Sequence, residues 1–385
     1  MVTGKPGCLV TSRLVCDYRT MREAGEWGDL GDRVRECRVA ADMSQEQLAS
    51  AVNLDRTMIA KIEAGTRRVD ALELARLSSV LGVPLTHFLS QSPTVVSRRT
   101  ELADDTATDV ARQSYRLEAA LATWLSDVRQ LVELRELPPR RPQRYPCAVE
   151  GVETARDAAR WARKKLNLGF DPIGSLMSVC EKLGQLVAVV DTPGDGASLI
   201  EGGVAVAVVS SQGDPGRRRA TAAHELAHMV IGDEYSADLG IHTSRAEREL
   251  VVDAFAAEFL LPIDSVLKGY SESRDSVRET LVLLAAGYRT SWSLAVRQAV
   301  AAEVVDKESA KDLRRRNPTR AELMEALGWA PQPDLQTVRV PPSYAHAVLQ
   351  AWKASKITTA RAVELMRGQI VESDLPAREE SDLEP

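Results

Sequence analysis

The sequence predicts a mostly helical α+β chain with one small sheet. Helical spacing of apolar residues dominates from Gly28 to Ser90, and again from Gly216 to about Gln369. Only Leu186–Val190 and Val204–Ser210 read as strands, being short, Val-rich and bounded by glycine turns. With 385 residues there is room for two or three domains.

Residues 1–27 show no period and read as a tail, and residues 28–90 as a four- to five-helix bundle. Leu30, Val34 and Cys37 share one face of its first helix. Ser44-Gln45-Glu46-Gln47 is a capping box opening the second, with Leu48, Ala49 and Val52 apolar. Asn53 is a turn residue. Asp55 caps a third helix with Met58, Ile59 and Ile62 inward, and Gly65 closes it. Ala71–Leu81 is a fourth helix, ended by Gly82.

Residues 91–150 read as a linker holding one long amphipathic helix. Leu117, Leu121, Trp124, Val128 and Leu131 form its stripe. That stripe spans only about two heptads, which favours packing on the next domain over a dimer seam. Pro138, Pro139 and Pro142 make a stiff connector. Residues 151–305 form a mixed domain, with helices over Thr154–Leu166 and Ile173–Leu183 before the strands. Pro193-Gly194-Asp195-Gly196 is turn chemistry. Residues 306–370 are helical, with helices over Pro318–Leu327 and Tyr344–Met366, and residues 371–385 form an acidic tail. Thr358 caps a stretch that loosely echoes a helix-turn-helix and suits packing or dimerisation.

Lys plus Arg number 49 against 55 Asp plus Glu, a net charge of −6, which excludes a general polycationic nucleic-acid coat but leaves room for a local basic face. No apolar run approaches the roughly 18 residues of a membrane helix. The N-terminus lacks the apolar core of a secretory signal. The five cysteines are scattered without a CxxC, so reduced thiols, a cytoplasmic location and no cysteine zinc site are expected.

His224-Glu225-Leu226-Ala227-His228 is an HExxH on an unbroken helical stretch that ends at Gly232. Residues i and i+4 share a helix face, so both imidazoles can reach one cation at about 2.0–2.1 Å. Glu225, on the flank, can take the proton of a water there and later protonate a leaving amine. With five histidines in the chain, chance produces such a motif on the order of half a per cent of the time, so coincidence is a poor account of it. Two imidazoles and a carboxylate favour zinc (Zn2+). A third ligand is needed. Glu249 and Asp253 share a face of the next helix. Glu249 is the candidate ligand, with Glu247 and His242 as alternatives, and Asp253 can fix the tautomer of a ligand histidine.

Two short helices joined at Asn53 form a helix-turn-helix pattern. Its second helix presents Arg56, Thr57, Ala60 and Lys61 to a major groove. Gln45 suits a phosphate at the preceding helix start, and Arg67 and Arg68 suit backbone contact. The segment carries eight Lys/Arg against nine Asp/Glu, which argues for modest non-specific affinity.

The HExxH followed by Glu249-Leu250-Val251-Val252-Asp253-Ala254-Phe255-Ala256-Ala257 and Leu260-Leu261-Pro262 resembles the ImmA/IrrE-like zinc metallopeptidases, over roughly Thr154–Ala302. Val252 stands where that family usually has alanine. The resemblance implies a zincin fold and a gluzincin-like site, with His224, His228 and Glu249 as zinc ligands and Glu225 as general base. It also implies an edge strand that holds substrate, for which Val204–Ser210 is the candidate. Tyr235, His242 and Tyr288 are candidate oxyanion donors.

Ser44-Gln45-Glu46-Gln47-Leu48-Ala49 with Ile59-Ala60-Lys61-Ile62-Glu63-Ala64-Gly65 resembles the XRE/Cro-type helix-turn-helix over about sixty residues. This implies docking on a double-stranded DNA operator as a homodimer. Together the two resemblances imply a transcriptional regulator fused to a peptidase that cleaves a regulatory protein: a helix-turn-helix repressor or the chain itself. The alternative is a transcription factor whose zincin fold senses metal or ligand without turnover. That role needs the histidines and Glu249 but not Glu225, so an intact Glu225 favours the enzyme.

Overall fold

The computed structural model describes residues 27–83, 85–89, 109–232, 245–328, 334–335, 337 and 339–376. The tail over 1–26, the start of the linker, Tyr235, His242 and the last residues of the acidic tail lie outside them. The chain is mostly helical with one three-stranded sheet, as the sequence predicts. It divides into two compact units: residues 1–92 with 100–119, and residues 93–99 with 120–385.

In the first unit α1 covers residues 27–40. It is followed by α2 (Gln45–Val52), α3 (Arg56–Glu63), α4 (Ala71–Leu81) and α5 (Leu85–Leu89). Both sides of the Ser44–Gln47 capping box form, and Asn53 closes α2 in the left-handed conformation. Asp55 sits at the N-cap of α3, but its side chain makes no cap hydrogen bond. Leu30, Val34, Cys37, Leu48, Val52, Ile59, Ile62, Leu77 and Phe88 make the buried core. A Cβ at Gly31 would collide with the carbonyl of Ile62, so glycine there lets α1 lie against the end of α3.

α6 (Asp109–Glu133) runs from the first unit into the second. Within the second unit Leu121, Trp124, Val128 and Leu131 are fully buried. Trp124 Nε1 donates to the Leu186 carbonyl at 2.9 Å, and its ring lies 4.5 Å from that of Tyr344. The C-terminal helices α16 (Pro342–Lys353) and α17 (Thr359–Leu365) tie to the same helix through Asp127, which pairs with Arg361 and Arg367. The stretch read as one helix over Tyr344–Met366 is thus two. Ser355 takes a left-handed conformation between them, and Thr358 caps the second.

α7 (Val152–Lys165) and α8 (Leu176–Lys182) precede the sheet. The second begins later than the Ile173 start that periodicity suggests, since Ser175 supplies its N-cap. The sheet contains β1 (Gln185–Val190), β2 (Gly196–Glu201) and β3 (Val204–Ser210) in the order β1-β3-β2. β1 runs parallel to β3, and β2 runs antiparallel to it. The candidate substrate strand Val204–Ser210 is therefore the centre of the sheet, paired on both sides. The edges are β1, bridged on its outer side by Arg339 at Val189, and β2, a strand the turn-like glycines conceal in the sequence. Gly202 and Gly203, both at positive φ, make the two-residue hairpin joining β2 to β3.

α9 (Pro215–Ile231) crosses the sheet, and α10 (Arg245–Leu260) packs on α9 and α7. α11 (Ile263–Glu272), α12 (Val277–Tyr288), α13 (Trp292–Ala301), α14 (Lys307–Arg315) and α15 (Arg320–Leu327) complete the unit. One apolar core, with Phe255 stacked 5.6 Å from Phe259, joins α7, the sheet and α9 to α13. Glu258, itself buried, accepts from Arg160 and Gln298, which fixes α10 between α7 and α13. Among the described residues no helix is long and apolar enough to cross a membrane, and Cys147 and Cys180 are free thiols.

Candidate metal centre and nucleic-acid interface

α9 is built to stay helical beneath the sheet. Asp214 caps it by accepting from the amides of Gly216 and Arg217, Pro215 sits in its first turn, and Gly232 ends it at φ 76°. His224, Glu225 and His228 fall on its buried length, each no more than 2% exposed. The two Nε2 atoms are 3.2 Å apart. Glu249 Oε2, from α10, stands 3.4 Å from His224 Nε2. Glu247 is exposed, two residues earlier.

Asp253, one turn beyond Glu249, places Oδ1 3.0 Å from His224 Nδ1, and Arg297 of α13 donates to Oδ2 at 3.2 Å. Burial opposes ionisation of Asp253. The bond to His224 and the charge of Arg297 outweigh it and hold the carboxyl below its ordinary range. With Nδ1–H given to Asp253, the lone pair of His224 Nε2 points towards His228 and Glu249.

Donors about 2.0–2.1 Å from a tetrahedral zinc ion lie about 3.3 Å from one another. The separations of 3.2 and 3.4 Å match that edge length. Among the described residues no three His, Cys, Asp or Glu side chains are closed enough to hold a metal ion as they stand. The fit rests instead on these two separations and on the chemistry of the donor set.

The residues that hold Glu225 lie on two strands and leave no pattern in the sequence. Ser198 of β2 donates its hydroxyl to Glu225 Oε2 at 2.7 Å, and Gln185 of β1 donates to the Glu225 carbonyl at 2.9 Å. β2 reaches α9 because residue 196 is glycine. A Cβ there would lie 2.6 Å from Thr221 Cγ2 and 3.4 Å from Glu225 Cγ. The sequence signal for β2 was the Gly202-Gly203 pair between two strand-like runs. Tyr288, a candidate oxyanion donor, gives its hydroxyl proton to the Phe170 carbonyl at 2.6 Å.

In the first unit Arg56, Thr57 and Lys61 are exposed on α3, and Arg68 is exposed in the loop after it. The other two predicted contacts are engaged within the protein. Gln45 Nε2 donates to Glu63 at 2.8 Å, beside the Arg38–Glu63 pair. Arg67 makes a two-pronged pair with Glu73 at 2.8 and 2.6 Å.

The helix-turn-helix family profile matches residues 34–88, and the profile described as the IrrE N-terminal-like domain, a peptidase family, matches residues 194–306. Among curated proteins, an uncharacterized HTH-type transcriptional regulator of Sinorhizobium medicae is 38% identical over 64 residues, covering 17% of this chain and 46% of the relative. The control protein C.BamHI of Bacillus amyloliquefaciens is 44% identical over 54 residues, 14% of this chain and 67% of the relative. The control protein C.MunI of Mycoplasma sp is 36% identical over 61 residues, 16% and 82% respectively. The chain thus spans about half the length of the first of these relatives. A solved structure, PlcR of Bacillus thuringiensis with the peptide PapR7 and DNA, aligns over 88% of this chain and 91% of that one. Its 10% identity and TM-score of 0.18 carry no argument. The chain thus carries an XRE-type helix-turn-helix domain over residues 34–88 and a domain matching the IrrE/ImmA-like peptidase profile over residues 194–306.

Proposed function

We propose that the protein is a cytoplasmic DNA-binding transcriptional regulator fused to a zinc-dependent peptidase that hydrolyses a bond in a regulatory protein, either a helix-turn-helix repressor or itself. One observation supports the peptidase reading. His228 Nε2 and Glu249 Oε2 lie 3.2 and 3.4 Å from His224 Nε2, each close to the donor–donor edge of a tetrahedral zinc site, and Glu225, a buried carboxylate, follows His224 on the same helix.

His224, His228 and Glu249 would hold zinc, which when bound lowers the pKa of a water to about 7 and polarises a carbonyl. Asp253 keeps the His224 ring in the tautomer whose Nε2 carries the ligating lone pair. Glu225, steadied by Ser198, accepts the water's proton at its other oxygen and delivers it to the departing amine. β2, the sheet edge beside Glu225, is the strand a substrate backbone can pair with, whereas the other edge, β1, is bridged by Arg339. Arg56, Thr57, Lys61 and Arg68 meet the operator, which a homodimer would bind at paired half-sites.

The test compares wild-type protein with Glu225→Gln and His224→Ala, measuring bound zinc and newly formed peptide termini in the chain and in a host lysate. The expected result is retained zinc with lost cleavage in Glu225→Gln, and lost zinc in His224→Ala. Full zinc binding with identical termini in wild type and Glu225→Gln overturns the enzyme in favour of a sensor without turnover.

A further inference from the structure

A cavity of about 740 Å³ lies in the unit that holds the candidate metal centre, at the other end of α9. Its walls come from the first turns of α9 and α13, the end of α12 and Asp334. Gly216 sits against the backbone of Thr290 and Ser291, where a Cβ would be 2.7 Å from Ser291 Cα, so the two helix starts abut. Both carboxylates of the lining are committed. Asp214 caps α9, and Asp334 accepts from the fully buried Arg219 at 2.5 Å and from the Leu176 amide.

The cations are not matched in the same way. Arg217 pairs with Asp195 and Arg219 with Asp334. Arg289 donates only to the carbonyls of Ile173 and Gly174, and among the described residues no carboxylate pairs with it. It holds this place from a left-handed backbone conformation at the end of α12, φ 53°. The next residue, Thr290, is 9% exposed, lines the cavity, and has a hydroxyl without a hydrogen-bond partner. Burial pulls the Arg219 guanidinium down to about 10; the charge of Asp334 opposes that fall and the charge of Arg289 adds to it.

We propose that this cavity binds a small phosphate-bearing molecule. Arg289 supplies the cation, the Thr290 hydroxyl and the first-turn amides of α13 donate to the phosphate oxygens, and the apolar wall takes the organic part. A buried hydroxyl and an unmatched guanidinium at a helix start form an anion cradle, and the volume falls within the range of small-molecule sites. Ala285, Ala286, Trp292 and Leu323 line that wall.

The experiment is thermal unfolding of the full chain at matched ionic strength, with inorganic phosphate, AMP or citrate, each at about ten times a millimolar Kd. Phosphate, AMP or both should raise the wild-type midpoint by about 2–4 °C, and citrate should not. The rise should be lost in Arg289→Gln and reduced in Thr290→Val, a near-isosteric change that decides the matter alone if Arg289→Gln fails to fold. No rise with phosphate or AMP, an equal rise with citrate, or an undiminished rise in the variants that fold overturns the proposal. The site shares no residue with the candidate metal centre, and the same readout applies to Glu225→Gln. Failure here therefore leaves the peptidase reading untouched, and the reverse holds too.

Discussion

Asp253 Oδ1 lies 3.0 Å from His224 Nδ1, so one carboxylate on α10 sets the tautomer of an imidazole on α9. Its other oxygen is held by Arg297; against burial, the His224 bond and the Arg297 charge together hold the carboxyl below its ordinary range. Asp253→Asn removes that charge and blurs the tautomer. Under the proposed function, zinc affinity, read by competition with a chelating dye, should fall about 10–100-fold while the helices stay intact by circular dichroism.

Ser198→Ala deletes the hydroxyl that donates to the buried carboxylate of Glu225. A buried charge stripped of a donor costs about 1–3 kcal/mol. Denaturant unfolding of the chain should report a loss of that size, together with reduced cleavage under the proposed function. Ser198→Thr should restore both.

The basic residues near α3 divide by what already holds them. Lys61→Ala and Arg56→Ala should weaken duplex binding and each lower the slope of log K against log salt by about 1. Arg67→Ala should leave that slope alone and lower the unfolding midpoint instead, because its guanidinium is taken by Glu73. Duplex titrations at several salt concentrations, alongside melting curves, separate the two classes.

His87 supplies a pH handle on the first unit. Burial, with Arg33 nearby, pulls its imidazole down to about 4. The unfolded chain binds a proton near 6.5 while the folded one does not, so the stabilising difference is complete above about 6.5 and is lost as pH falls towards about 4. Unfolding between pH 4 and 7 should show wild type losing more stability on acidification than His87→Gln.

Asp334→Ala leaves Arg219 buried without its counter-charge. A loss of about 3–5 kcal/mol is expected from equilibrium unfolding, far more than from an exposed pair such as Lys311–Glu308.

What was legible in the sequence was local. The Ser44–Gln47 box, the Gly232 cap and the i, i+4 histidines are written within single helices, and the structure realises each from its own few residues. Glu249 and Asp253 were legible as a pair because they too lie one turn apart. Their meeting with His224 bridges 25 and 29 residues of chain. Ser198, Gln185, Arg297 and Arg289 gave no signal, because each acts through a partner on another element that no periodicity announces. The central placing of Val204–Ser210 is of the same kind. A Val-rich run describes burial, whereas edge or centre depends on the neighbouring strand, and that strand was hidden behind the turn-like Pro193–Gly196.

Gly196 leaves no clearance between the rim of the sheet and the helix beneath it. In a saturation library across this hairpin, position 196 should therefore return glycine alone, with even alanine purged. Gly203, with open space around its missing side chain, should admit asparagine and aspartate. Such a pattern of tolerance would map, without any assay of chemistry, where the strand touches the helix.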